Sequence, residues 1–218
     1  MSAGSAVLER IRRLRIVPVI VIDDAAHASA LAGALAAGGL PVAEITFRTS
    51  AAAEAIRRIA GENPDVLAGA GTVLTPQQAR EAVDAGAKFI VSPGFGPRVV
   101  EWCLEHGVPV FPGVCTPSEV ETALARGLST LKFFPAEQAG GVPFLKAIGA
   151  PYGMVQFIPT GGVNATNLGS YLALKNVVAC GGSWMAPAEW IRAGDFARIR
   201  EETKKAVAAV APTEGGGQ

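Results

Sequence analysis

VLAGAGTVLTPQQAREAVDAGAKFIVSPG, residues 66–94, places two short apolar runs on either side of a helical pattern. The helix entry is written in Thr75-Pro76. A threonine hydroxyl can accept an otherwise unpaired N–H of the first turn, and proline suits the first helical position because its missing N–H costs nothing there. The exit is written in Gly86, which closes QQAREAVDAG. The flanking runs are too short for helices and read as strands. A strand, a helix and a second strand in this order predict a parallel pair joined by a crossover.

The same unit repeats in both directions. RIVPVIVI (15–22) and VAEITF (42–47) precede the quoted stretch, whose own runs are VLAGAGTV (66–73) and KFIVSPG (88–94). VPVFPGV (108–114), STLKFFP (129–135), VQFIPTGG (155–162) and NVVACGGSW (176–184) follow it. The spacing is roughly 20–27 residues, the length of one βα unit. Thr116-Pro117-Ser118-Glu119 repeats the helix entry, and DDAAHASALAGALAAGG closes on Gly38-Gly39. Eight such units predict an α/β chain closed into a (β/α)8 TIM barrel rather than an open doubly wound sheet. No GxGxxG follows the first strand, which weakens the open alternative. SAVLERIRRLR (5–15) reads as an N-terminal helix capping the barrel. The expected organisation is one domain over residues 1–211, with residues 212–218 a disordered tail.

Composition narrows the partners. Half of the 218 residues are apolar and 17% are charged, enough for a large core. Lys and Arg number 19, as do Asp and Glu, and neither sign is clustered, which argues against nucleic acid or a membrane surface. No apolar run approaches the roughly 20 residues of a membrane span. Cys103, Cys115 and Cys180 are an odd, scattered set without CxxC spacing and read as buried reduced thiols of a cytoplasmic protein. His27 and His106 lack neighbours at metal-ligand spacing, so no metal is expected.

In barrels of this kind chemistry collects at the carboxyl ends of the strands. Alternation sets Glu44, Thr46 and Arg48 on one face, read either as a wet strand face or as site residues climbing toward the mouth. Thr72 ends the third strand among glycines, as a structural or a substrate-contacting residue. Lys132 lies mid-strand between Leu131 and Phe133. An unpaired buried ammonium is costly, so it needs a carboxylate partner such as Glu44, a route to solvent, or a chemical task. The task would be Schiff-base formation, which apolar surroundings favour by destabilising the charged amine. PTGG (159–162) and CGGSW (180–184) expose successive backbone N–H groups and read as an anion nest after the last two strands. An amine, a carboxylate, a guanidinium and, on the far side, a phosphate cradle together suit a ketoacid carrying a remote phosphate.

EITFRT (44–49), GAGTVL (69–74), FIVSPG (89–94), PGVCTPSE (112–119), LKFFPAEQAGG (131–141), PTGGV (159–163) and GGSW (181–184) resemble, in that order, the 2-keto-3-deoxy-6-phosphogluconate (KDPG) aldolase family. That class I family also includes 4-hydroxy-2-oxoglutarate aldolases. The resemblance implies a cytoplasmic homotrimer of (β/α)8 barrels without cofactor, acting on a phosphorylated 2-keto-3-deoxy sugar acid and releasing pyruvate. Lys132 matches the Schiff-base lysine and Glu44 the general acid/base. Arg48 and Thr72 match residues holding the pyruvate end. Thr160, Gly161, Gly162, Gly182 and Ser183 match positions near the phosphorylated end. Pro93, at the rim, and Phe134, on the face of Lys132, complete the expected substrate-binding set. The alternatives are an aldolase for the galactonate-derived epimer, an isomerase with Lys132 merely ion-paired, and a non-catalytic phosphate-binding barrel.

Overall fold

The computed structural model of the chain describes residues 3–210; the expected tail at 212–218 lies outside them. Helix α1 (Ala3–Leu14) leads into strand β1 (Ile16–Ile20). A 3-10 turn (Ala25–His27) precedes α2 (Ala28–Ala37), β2 (Val42–Thr46), α3 (Ala52–Glu62), β3 (Leu67–Gly71) and α4 (Pro76–Asp84). Then come β4 (Ile90–Val91), α5 (Pro97–Glu105), β5 (Val110–Phe111), β6 (Gly113–Val114) and α6 (Pro117–Leu124). The remaining elements are β7 (Thr130–Phe133), α7 (Gly141–Gly149), β8 (Gln156–Pro159), α8 (Leu168–Leu172), β9 (Cys180–Gly182), α9 (Ala188–Arg192) and α10 (Phe196–Val210).

Helix entries follow the local chemistry. Thr75 is extended and its hydroxyl accepts the Gln78 N–H. Thr116 and Glu119 form a reciprocal capping box, in which the Glu119 carboxylate accepts the N–H groups of Cys115 and Thr116 at 2.8 and 2.9 Å. Gly86 turns the chain away from α4 at φ 108°, a conformation that a side chain would disfavour.

Every strand pairing is parallel. The strands form a six-stranded sheet, β5-β4-β3-β2-β1-β9, and a three-stranded sheet, β6-β7-β8. The expectation of eight uninterrupted strands is corrected at VPVFPGV. Val110 and Phe111 pair with β4, whereas Gly113 and Val114 pair with β7. Pro112 separates the two halves: it has no N–H to donate, while its carbonyl accepts the Lys132 N–H at 2.9 Å. Isolated parallel bridges, Phe157↔Val177 and Thr160↔Gly181, connect β8 to the segment containing β9. The result is an α/β fold with a curled parallel sheet.

Alternation divides the strand side chains between two cores. Ile16, Ala43, Ile45, Ala68, Ala70, Leu131 and Phe133 belong to the larger cluster, shared with helices such as α2 and α3. Val17, Val42, Leu67, Phe89, Val91 and Phe111 form a second cluster with Val7 and Ile11 of α1. Arginines fasten α1 over the beginnings of the strands. Arg10 donates to the carbonyls of Pro41 and Asp65, Arg12 to Gln156 Oε1 at 2.9 Å, and Arg15 to the Leu172 carbonyl at 3.0 Å. The helix thus covers the amino ends of the strands, and the opposite ends remain for the site. No helix among the described residues is long and apolar enough to cross a membrane. Burial pushes the Cys103 and Cys180 thiols up to about 12. Cys115, expected to be buried, is only partly so because it stands in the loop before α6.

Candidate active site

The centre of the candidate site is a buried ion pair. Lys132 on β7 and Glu44 on β2 are 5% and 3% exposed, and Nζ lies 3.4 Å from Oε1. Side-chain alternation sends both residues to the face opposite Leu131, Phe133, Ala43 and Ile45. Ile11, Val17, Phe89, Val91, Phe111 and Ile158 wall the pair with apolar surface, and Thr160 completes the lining. The Lys132 ammonium also lies 5.3 Å from the centre of the Phe134 ring, within cation–π range.

Glycines on β3 make room for the carboxylate. Glu44 is in register with Gly69, and Gly71 follows two residues later on the same face. A Cβ on Gly71 would stand 2.2 Å from Glu44 Oε1 and 2.7 Å from Cγ, and one on Gly69 would enter the Phe89 ring. Gly71→Ala is therefore expected to displace the carboxylate from Lys132. A misplacement of ångström scale at a reacting group costs about 100-fold. Steady-state turnover of the soluble, folded variant measures this, and wild-type turnover would show that the carboxylate position is not critical.

Above the pair lies a cavity of ≈ 150 Å³ lined by Val19, Val21, Arg48, Phe134, Thr160, Gly161, Gly162, Val163, Gly182 and Ser183. Thr160 belongs to both linings and connects the two spaces. Gly161 and Gly162 have φ of 98° and 80°. The Gly161 N–H faces the Gly181 carbonyl in the parallel bridge between Thr160 and Gly181, whereas, among the described residues, the N–H groups of Gly162 and Val163 have no backbone acceptor. Arg48 likewise has neither a hydrogen-bond nor an ion-pair partner among the described residues. An anion entering this cavity meets unpaired donors. Gly181 must remain small for Thr160 to occupy its position, since its Cβ would be 2.3 Å from Thr160 Oγ1.

Most of the candidate residues converge here, but not in the arrangement expected. Arg48 lies beyond the end of β2 and shares the cavity of the glycine pairs instead of standing opposite them. Thr46 does not climb toward the mouth. It is fully buried, and its hydroxyl donates to the Ile20 carbonyl of the neighbouring strand at 2.8 Å. Thr72 caps β3 with a left-handed φ of 55°, an outlier for a β-branched residue that often marks functional positions. It lines neither of the two spaces. Pro93 borders a separate cavity with Leu74, Ser92, Gly94, Phe95 and Glu119, and its carbonyl abuts Gly113, the register partner of Lys132.

Sequence reasoning passed over the supports of the glycine loop. The Gly162 carbonyl accepts the side-chain amides of Asn164 and Asn167, both at 3.1 Å. Glu137 packs against Gly162 and receives a hydrogen bond from the Tyr171 hydroxyl. The detectable signal was an asparagine two residues beyond a glycine pair, a frequent side-chain-to-backbone turn.

The family model described as KDPG and KHG aldolase matches residues 7–202. The chain belongs to the KDPG and KHG aldolase family. A member from Treponema pallidum, 2-dehydro-3-deoxy-phosphogluconate aldolase, is 52% identical over 193 residues, covering 88% of this chain and 92% of the relative. The KDPG aldolase of Legionella pneumophila, solved with pyruvate captured as a covalent carbinolamine intermediate, superposes with a TM-score of 0.88 at 41% identity. That match covers 95% of this chain and 98% of the other. The KDPG aldolase of Zymomonas mobilis, solved with 3-phosphoglycerate, gives a TM-score of 0.87 at 39% identity, again covering 95% and 98% of the two chains.

Proposed function

We propose that this chain is a class I aldolase that cleaves 2-dehydro-3-deoxy-6-phosphogluconate to pyruvate and glyceraldehyde 3-phosphate, with activity on 4-hydroxy-2-oxoglutarate as well. The observation that carries the reading is the Lys132 amine, buried 3.4 Å from Glu44 beneath a cavity lined by Arg48 and unpaired N–H groups. The carbinolamine in the Legionella relative supports it.

Glu44 is close enough to take a proton from Lys132 and leave a neutral amine. Lys132 Nζ attacks C2 of the keto acid, and Glu44 gives that proton to the carbinolamine hydroxyl, which leaves as water, so that a protonated imine forms and Glu44 is again a carboxylate. Glu44 then removes the C4 hydroxyl proton, directly or through one water. The C3–C4 electrons flow into the iminium, C4 becomes the aldehyde carbon, and glyceraldehyde 3-phosphate leaves. Glu44 returns its proton to C3 of the enamine, and water hydrolyses the resulting imine to free pyruvate and Lys132. Arg48 and Thr72 are assigned to the keto-acid carboxylate, for which a guanidinium offers two parallel donors. Phe134 and Pro93 flank the substrate. Thr160, Gly161, Gly162, Gly182 and Ser183 are assigned to the phosphorylated end.

The parallel pairings and the β8–β9 bridges support closure into an eight-stranded barrel as the functional unit. Family membership supports a single domain, a cytoplasmic site of action and a homotrimer.

Borohydride added with pyruvate tests the chemistry. The expected result is a stable adduct on the Lys132 peptide by mass spectrometry, with loss of activity in proportion. An active enzyme whose Lys132 peptide stays unmodified would overturn the proposal and favour an isomerase with Lys132 only ion-paired.

A further inference from the structure

The unpaired N–H groups of Gly162 and Val163 at the upper cavity are aimed by carbonyls tied down behind them. A trans peptide is planar, with its N–H and C=O pointing in opposite directions. Fixing one carbonyl therefore fixes the N–H of the next residue. The Thr160 carbonyl accepts the Ala136 N–H at 2.8 Å, and the Gly161 carbonyl accepts the Glu137 N–H at 3.0 Å. The first of these bonds turns the Gly161 N–H toward the Gly181 carbonyl of the neighbouring strand and the second orients the Gly162 N–H, and both come from backbone that any side chain would supply. The third carbonyl, that of Gly162, is held differently. It accepts the side-chain amides of Asn164 and Asn167 at 3.1 Å each, and so sets the direction of the Val163 N–H.

Neither asparagine is free to turn. Asn167 Oδ1 accepts the Asn164 backbone N–H at 2.8 Å, which leaves its Nδ2 for Gly162. Asn164 Oδ1 accepts the Thr166 N–H and hydroxyl at 2.9 and 2.6 Å, which orients its own Nδ2 in the same way. Two successive glycines at positive φ have little preference of their own, so this peptide plane depends on its restraints.

We infer that Asn167 and Asn164 are positioning residues for the phosphorylated end of the substrate, acting through the Gly162–Val163 peptide. The inference rests on the aldolase reading above and deepens it. The two amides share one acceptor, so each single variant is buffered by the other, and the Asn164→Ala, Asn167→Ala double variant shows the effect in full.

The test compares the phosphorylated substrate with unphosphorylated 4-hydroxy-2-oxoglutarate, in the full chain. The expected result for the double variant is a KM for the phosphorylated substrate raised about tenfold or more, the scale of one hydrogen bond to a charged group. The KM for 4-hydroxy-2-oxoglutarate and the exchange of pyruvate methyl protons should stay within about twofold, since neither compound carries the phosphate. A loss shared equally by both substrates would reduce the asparagines to structural supports and overturn the inference, as would an unchanged KM for both. If the double variant fails to fold, each single variant decides the matter by the same two KM values, with a smaller shift. A wild-type enzyme whose Lys132 is not trapped by pyruvate would overturn the aldolase reading itself, and this inference with it.

Discussion

Lys132→Met is expected to abolish pyruvate release from the phosphorylated keto acid, lowering turnover by about 10⁶-fold, the order seen when a covalent nucleophile is removed. Methionine keeps much of the apolar stem in a cavity that Phe89, Phe111 and Ile158 also line, so the loss falls on the amine. The substitution should also weaken the fold. Glu44 is 3% exposed, and losing the ammonium at 3.4 Å strands its carboxylate, which costs about 3–5 kcal/mol for a buried pair. The Lys132→Met, Glu44→Gln double variant removes the stranded charge and should recover most of that stability while remaining inactive. Urea unfolding midpoints and a pyruvate-release assay separate the two effects. Residual cleavage above a hundredth of wild type would remove Lys132 from the chemistry, and equal midpoints for the single and double variants would show the pair to be uncoupled.

Glu44→Gln is expected to lower kcat by about 10²–10⁴-fold, the usual contribution of a positioned acid/base group. The amide is nearly isosteric and can still accept a hydrogen bond from Lys132, but it cannot carry the proton. Imine formation should therefore survive, so that pyruvate and borohydride still label Lys132. Exchange of the pyruvate methyl protons with deuterium should slow by a similar factor, because that exchange needs a base at C3. Exchange at the wild-type rate would take Glu44 out of the acid/base role.

What could be read before the structure was what the chain writes locally. Thr75-Pro76 and Thr116-Pro117-Ser118-Glu119 start helices through contacts within one turn, and both do so as expected. Alternation within TLKF and VAEIT was enough to set Lys132 and Glu44 apart from Leu131, Phe133, Ala43 and Ile45. The features that escaped depend on partners distant in the chain. Pro112 divides a run that reads as one strand, because the strand changes neighbours there. Thr46 has the periodicity of a site residue but spends its hydroxyl on Ile20. The need for glycine at position 71 appears only once Glu44 stands beside it. Asn164 and Asn167 are ordinary loop residues until the chain reverses at positive φ and brings the Gly162 carbonyl within their reach.

The pairing of β1 with β9 matches Ile16 with Cys180, so that side of the first strand is satisfied only by residues far downstream of it. At 5–20 residues per second the ribosome needs roughly 10–30 s to deliver them. Throughout that interval one flank of β1 presents unpaired N–H and C=O groups, as any sheet edge does. The sheet can therefore be completed only after Cys180–Gly182 has left the ribosome, so that β1 and β9 close it after translation of everything between them.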